Sequence, residues 1–186
     1  MAKAITLVIL AFAGSDGILG KVWEKNGPGD FKLIPVKQDE SLKDILLEKV
    51  IADPEIEDRF VLVPANLVPC AKISLEELCC PAVYVFKEKE TWWGRTPVVF
   101  DKTALEDFLP ENDTLSDEEF VKKWVKTHLT RRPLLVSREW GNYISVVLRA
   151  DPCWARTAEA MVRKKFIFAN PTGFNAITSQ IVKVLL

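Results

Sequence analysis

Short apolar runs alternate with helical patterns along this chain of 186 residues, and that alternation limits the folds open to it. The runs are rich in β-branched and aromatic side chains and are bounded by turn residues, as buried strands are. Because they are nearly continuous in apolar residues, they indicate a sheet covered on both faces. The predicted strands are residues 4–12, 31–36, 59–64, 82–86, 96–100 and 165–169.

Helix start signals lie between these runs. Ser74 with Glu77, and Ser116 with Glu119, have the spacing of a capping box, in which the side chain of each residue bonds the backbone N–H of the other. Aspartate or asparagine before proline marks two further starts near the end of the chain. We predict helices at residues 18–25, from Ser41 onward, from Ser74 to before Pro81, at 102–108, from Ser116 to about Thr130, and after Asp151 and Asn170.

Two of these helices carry an apolar stripe, which predicts that one face packs against the sheet. In the helix that begins near Ser41, the shared face also includes a lysine, Lys49. The residues of the two stripes are Leu42, Ile45, Leu46, Lys49 and Val50, and Phe120, Val121, Trp124 and Val125.

The alternation of strands with helices predicts an α/β fold with a central, mostly parallel or mixed sheet flanked by helices. A chain of this length is most simply one domain, spanning residues 1–186. Residues 143–148 fit either a strand or a helix, and both interpretations stay open. Residues 87–95 and 109–116 carry charges and turn residues and are predicted to be surface loops.

Charge is segregated along the chain. The last 67 residues contain twelve Lys and Arg against three acidic side chains, whereas the first 119 contain 13 basic and 23 acidic ones. A basic segment attracts anions, which predicts an acidic protein partner, or a homodimer in which basic and acidic surfaces meet. The alternative is that the two halves of one domain neutralise each other. The isoelectric point near 6.0 and the acidic first half argue against nucleic acid as the partner.

Two interpretations fit the first residues. The run 4–12, with a lysine before it and small residues at its end, has the composition of a secretory signal. It also has the composition of a buried first strand that ends at the turn 14–17, which is the interpretation we favour. No apolar run approaches the roughly 20 residues that span a bilayer, so no membrane span is predicted.

Cysteine usage predicts reduced thiols and a cytoplasmic location. Cys79 and Cys80 are adjacent, and a bridge between neighbours is strained. The sequence contains no Cys-x-x-Cys motif, and His128 is its single histidine. A structural zinc site is therefore not predicted.

The first predicted strand leads into Gly14-Ser15-Asp16-Gly17 and then into a helix. Backbone amides and a helix N-terminus at such a place hold phosphate in α/β proteins, so Ser15 and Asp16 are candidate phosphate-binding residues. The glycine spacing matches neither the dinucleotide fingerprint nor the Walker loop, and an ordinary strand-to-helix turn is the alternative.

The acidic and imidazole groups offer few catalytic candidates. Asp101 is the acidic residue at the end of a predicted strand, where it serves either catalysis or the N-cap of the next helix. His128 lies in a last helical turn, where a histidine complements the helix dipole more often than it acts as a base.

One order of segments resembles a known family. Four segments carry the resemblance: residues 33–36 (LIPV), 43–49 (KDILLEK), 53–63 (DPEIEDRFVLV) and 97–102 (PVVFDK). This order is similar to the stealth-type sugar-phosphate transferases and the small glycosyltransferase-like proteins related to them. The resemblance implies a nucleotide-sugar fold of the GT-A type and a nucleotide sugar or another phosphorylated ligand.

In those proteins a strand ends in two aspartates that handle metal and diphosphate, and a later histidine supplies another site group. Here Ala65 and Asn66 stand at the aspartate positions, and Arg95 stands near the histidine position. The resemblance therefore implies that Asn66 and Asp101 are catalytic and lie near the diphosphate. It also implies that Lys43, Lys49 and Arg95 neutralise the ligand's charge. No metal ligand is assigned, and the cofactor stays open because the aspartates are replaced.

Overall fold

A computed structural model describes residues 5–14, 16–65, 67–69, 72–79, 82–86, 89–91, 97–128, 134–137, 143–146 and 166–169. The strands are β1 (Thr6–Phe12), β2 (Phe31–Val36), β3 (Arg59–Val63), β4 (Leu67–Pro69), β5 (Ala82–Phe86), β6 (Lys89–Thr91), β7 (Val98–Asp101), β8 (Leu134–Ser137), β9 (Tyr143–Val146) and β10 (Phe166–Ala169). The helices are α1 (Asp16–Asn26), α2 (Leu42–Asp44), α3 (Leu75–Leu78), α4 (Lys102–Glu111) and α5 (Asp117–His128), and α2 continues directly into a π-helix (Ile45–Ile51).

Four strands form the main sheet in the order β2-β1-β3-β7. β2 and β3 both run parallel to β1, and β7 runs antiparallel to β3. α1 connects β1 to β2, whereas α2 and the π-helix connect β2 to β3 across β1. The predicted α/β class with a mixed sheet flanked by helices is confirmed for these elements.

Successive side chains of β1 enter two separate cores, one on each face of the sheet. In the first core, α1 packs on the sheet. In the second, Val8 and Leu10 lie in one cluster with the π-helix, α4 and α5. The sheet residues of the first core are Leu7, Ile9, Ala11, Val61, Val63 and Val99. Coverage of both faces explains why the strands read as continuous apolar runs rather than alternating ones.

Side chains from the helices satisfy carbonyl groups on both edge strands of this sheet. Lys49 donates from Nζ to the Pro35 carbonyl of β2 at 2.9 Å, and the Trp124 indole donates to the Val99 carbonyl of β7 at 2.8 Å. Pro35 itself is tolerated because β2 is an edge strand, where a missing N–H is not needed for pairing. These contacts leave the edges less open to further strand pairing.

Two further sheets have three strands each, in the orders β4-β10-β9 and β6-β5-β8. β10 pairs antiparallel with β4 and parallel with β9. β5 pairs antiparallel with β6 and parallel with β8. β4 and β8 were not predicted from the sequence, because runs of three or four residues give little periodic signal.

The structure corrects two predicted loops and settles one open segment. Residues 87–95 contain strand β6, and α4 continues past Pro110 to Glu111 instead of ending at the predicted loop. Pro110 stands in the last turn of α4, one residue before the helix ends. Of the segment that fitted both a strand and a helix, residues 143–146 form β9.

The helix starts predicted at Ser41, Ser74, Lys102 and Ser116 are confirmed, whereas α1 begins at Asp16, two residues before its predicted start. Ser116 and Glu119 form a capping box, in which the Ser116 N–H donates to Glu119 Oε2 at 3.0 Å and the Glu119 N–H donates to Ser116 Oγ at 3.3 Å. The predicted helices after residues 151 and 170 lie outside the described residues. Among the described helices, none combines the length and the apolar character needed to cross a bilayer.

Candidate functional site

The carboxyl ends of three parallel strands meet at one edge of the main sheet, here called the carboxyl edge: Phe12 of β1, Val36 of β2 and Val63 of β3. After β1 the chain connects to β2, the neighbour of β1 on one side. After β2 it connects to β3, the neighbour of β1 on the other side. The connections therefore diverge between β1 and β3. In open α/β sheets, ligands bind outside the carboxyl ends of the strands at such a point of divergence.

The turn after β1 brings a helix N-terminus to this edge. Gly14 has a φ of 88°, a conformation that favours glycine, and α1 begins two residues later at the exposed Asp16. A Cβ at Gly14 would meet no atom within 4 Å, so the turn needs glycine for its backbone angle and not for space. The partial positive charge of the 11-residue α1 is thus directed at the carboxyl edge.

Lys43 is held by the fold. Its Nζ donates to the Leu115 carbonyl at 2.6 Å and also to the Asp113 carbonyl, in the turn between α4 and α5. The nearby N-terminus of α2 already binds a carboxylate, because Asp117 accepts from the Leu42 N–H at 3.0 Å. Ser41 Oγ donates to the same carboxylate at 3.4 Å. The ammonium of Lys43 therefore links α2 to the turn before α5.

Lys49 also has partners within the protein. Its Nζ lies 2.5 Å from Glu40 Oε1 in an ion pair, in addition to its hydrogen bond with Pro35. The hydrogen bond from Lys49, followed by one from the Lys37 N–H, lowers the pKa of the Glu40 carboxyl below its usual 4.5. The pair attaches the loop after β2 to the π-helix.

Asp101 lies at the opposite edge of the sheet from the N-terminus of α1. It is in register with Arg59, the first residue of β3, so it is four residues, roughly 13 Å, from the carboxyl end of that strand. Its side chain accepts from the Ala104 N–H at 3.1 Å, which is the predicted alternative of an N-cap. Asp58 Oδ1 also caps this helix, since it accepts from the Thr103 N–H at 3.3 Å, and it accepts from the Thr103 hydroxyl at 3.0 Å.

Three predicted site residues, Ser15, Asn66 and Arg95, lie outside the described residues. Their neighbours in sequence, Gly14 and Ala65, follow β1 and β3 at the carboxyl edge. The structure thus brings Asp16 to this edge, holds Lys43 and Lys49 in contacts with other residues, and separates Asp101 from it. The predicted roles of Ser15, Asn66 and Arg95 stay predictions.

Neither a metal centre nor a catalytic histidine emerges from the described part of the chain. Within it, no three His, Cys, Asp or Glu side chains are grouped as metal ligands would be. The His128 ring stacks on Trp124, with ring centroids 3.9 Å apart, and its Nδ1 lies 3.4 Å from the Trp124 carbonyl in the last turn of α5. This is the position expected for a histidine that complements a helix C-terminus.

The sequence did not identify Asp117 as a residue that joins two helices. It stands in the first turn of α5, where an acidic residue is explained by the helix dipole alone. Its contact with Leu42 spans 75 residues of chain, and no local pattern predicts a pairing over that separation.

No protein-family model matches this chain, and no curated protein matches it significantly. The case for a function therefore depends on the residues and on the geometry of the carboxyl edge.

Proposed function

We propose that this protein binds a nucleotide or a phosphorylated sugar at the carboxyl edge, between β1 and β3, as a divergent glycosyl- or sugar-phosphate-transferase-like protein. The observation that carries the proposal is the divergence of the chain at β1, together with the α1 N-terminus that follows Gly14. A helix N-terminus favours negative charge because its first N–H groups have no partner within the helix. The resemblance to nucleotide-sugar transferases of the GT-A type points to the same ligand class.

In this proposal Ser15 binds the phosphate from the turn after β1, and Asn66 and Arg95 contact the diphosphate. Asp16, the first residue of α1, contributes its backbone N–H to the same phosphate site. Lys43 and Lys49 contribute through their positive charge at a distance, since both ammonium groups have partners within the protein.

The residues that would support metal-dependent transfer are changed in this chain. The aspartates that bind metal in the related family are replaced here by Ala65 and Asn66. The position of Asp101, at the far end of β3, favours a capping role for that residue over contact with the ligand. We therefore propose that ligand binding is retained and that metal-dependent turnover is reduced or lost.

A thermal-shift screen of nucleotides and nucleotide sugars, each with and without magnesium or manganese, tests this proposal. A ligand that binds the folded state raises the melting temperature by mass action. We expect a shift with one ligand that Asn66→Ala removes and Asp101→Asn retains. If no compound in the screen raises the melting temperature, the result would argue against the carboxyl edge as a phosphate site.

The charge segregation favours a second candidate, a non-catalytic binding or assembly protein that uses its basic C-terminal residues. Its partner would be an acidic protein or the acidic surface of a second copy. Attraction between exposed charges is screened by salt, so this association should weaken as ionic strength rises, with no nucleotide present. Light scattering across a salt series measures this association. A monomeric mass at every salt concentration would exclude the homodimer.

A further inference from the structure

The helix between β2 and β3 changes type along its length. Its first turn, Leu42–Asp44, is α-helical and is capped by Ser41, whose Oγ accepts from the Lys43 N–H at 3.2 Å. The next seven residues, Ile45–Ile51, form a π-helix with hydrogen bonds between residues five apart. Neither glycine nor proline interrupts this segment, so the local sequence contains no helix breaker that explains the wider turns.

A regular α-helix would place a charge in the second core. Residues three, four and seven positions after Leu42 share its face in an α-helix, and these are Ile45, Leu46 and Lys49. Leu42 and Leu46 are fully buried and Ile45 is 3 % exposed, so Lys49 would lie in the middle of an apolar contact surface. A buried unpaired ammonium is strongly unfavourable.

The π-helix avoids this arrangement. Hydrogen bonds to the residue five positions back widen each turn and rotate later residues backward around the helix axis. Val50 takes the buried position and is fully inaccessible, while the side chain of Lys49 retains 32 % of its exposure. From there its ammonium reaches both Glu40 and the Pro35 carbonyl.

We propose that Lys49 sets the register of this helix, so that residues 45–51 are π-helical because residue 49 is charged. The π register keeps Lys49 bonded to Glu40 and to edge strand β2. The α register becomes favourable once residue 49 is apolar. Since Glu40 also accepts from the Lys37 N–H at 2.9 Å, the Lys49 pair attaches the loop that follows the carboxyl end of β2 to this helix.

The test compares wild-type protein with Lys49→Met, an unbranched apolar replacement of similar length. Couplings measured by NMR across backbone hydrogen bonds identify the acceptor of each N–H in residues 45–51. We expect acceptors five residues back in the wild type and four residues back in Lys49→Met. We also expect the variant to melt at or above the wild-type temperature, because the methionine side chain adds apolar burial.

Glu48→Met is the matched control, since Glu48 is the exposed neighbour in the same helix. It should keep the five-residue spacing. Glu40→Gln should also keep that spacing, because the charge of Lys49 must still stay out of the core. Retention of the five-residue spacing in Lys49→Met, or failure of that variant to fold, would overturn the proposal. A change of spacing in Glu48→Met would do so as well, because it would show that Lys49 is not the determinant.

Discussion

Trp23 and Trp124 are both at most 1 % exposed, but their indole N–H groups differ in hydrogen bonding. The Trp124 indole N–H donates to the Val99 carbonyl. The Trp23 indole N–H has no partner among the residues that the structure describes. Replacement by phenylalanine removes a similar volume and keeps an aromatic ring at both sites, so the hydrogen bond is the chief difference between the two variants.

We therefore predict that Trp124→Phe lowers the free energy of unfolding by roughly 1–3 kcal/mol more than Trp23→Phe does, because the Val99 carbonyl then loses its donor. Urea denaturation of both variants measures the difference. Equal losses would mean that the Trp124 bond contributes nothing net, or that the Trp23 indole has a partner after all.

Asp101 is predicted to be catalytic by the resemblance and to be an N-cap by its place in the sequence. As a cap it accepts from the Ala104 N–H, so Asp101→Ala should lower the free energy of unfolding by about 1 kcal/mol. Asp101→Asn should retain most of that stability, because asparagine is an equally good cap. Asp107→Ala, at an exposed site in α4, is the control and should change stability by less than about 0.5 kcal/mol. A loss of ligand binding in Asp101→Asn without a loss of stability would instead support the catalytic role.

At the scale of elements, a single carboxylate joins α2 to α5. Asp117 accepts from the Leu42 N–H and from Ser41 Oγ, while Lys43 donates to the turn before α5. We predict that Asp117→Ala lowers the free energy of unfolding by about 1–2 kcal/mol, since it removes a charged hydrogen-bond acceptor from a helix N-terminus. Asp113→Ala is the control, because the contact of Asp113 with Lys43 uses its backbone carbonyl and not its side chain. Similar losses in the two variants would contradict a specific role for the Asp117 carboxylate.

Two ion pairs attach edge strand β2 and its loop to the connection that leads to β3. Lys32 pairs with Asp53 and lowers the pKa of that carboxyl below its usual 3.8, as Lys49 does for Glu40. A carboxyl whose pKa is lower in the folded state binds fewer protons there than in the unfolded chain. Its stabilisation is therefore present above the unfolded pKa and is lost as the pH falls through the folded pKa.

We accordingly predict that the free energy of unfolding declines as the pH falls below about 4–5, the usual range of carboxyl groups. Glu40→Gln should make this decline shallower, because one of the contributing groups is removed. Urea denaturation over a pH series measures both slopes. Identical slopes for wild type and Glu40→Gln would show that the Lys49 pair contributes nothing to acid stability.

For the whole molecule, the sequence predicts one domain over residues 1–186. Single domains generally unfold in one cooperative transition. Tryptophan fluorescence and far-ultraviolet circular dichroism should then give coincident urea transitions. Two separated transitions would instead show that part of the chain folds as an independent unit.

The strand and helix pattern was predictable because it depends on local signals. β1, β2, β3, β5, β7 and β10 all lie within predicted strands or within a residue of them, since continuous apolar runs bounded by turn residues are a strong signal. The Ser116–Glu119 box and the Asp101 cap were predictable for the same reason, because a cap involves residues only three apart. The mixed character of the sheet was predicted in outline, but its order was not.

The sequence by itself determined where most strands and helices begin and which faces are apolar, because those properties depend on neighbours within a few residues. Only the tertiary structure decided what the charged candidates contact. Lys43 and Lys49 were predicted to neutralise a ligand, yet the packing of α5 and of β2 gives each of them a partner within the protein. The tertiary structure also decided the π-helix, since Lys49 leaves the apolar face only because the second core has no place for a charge.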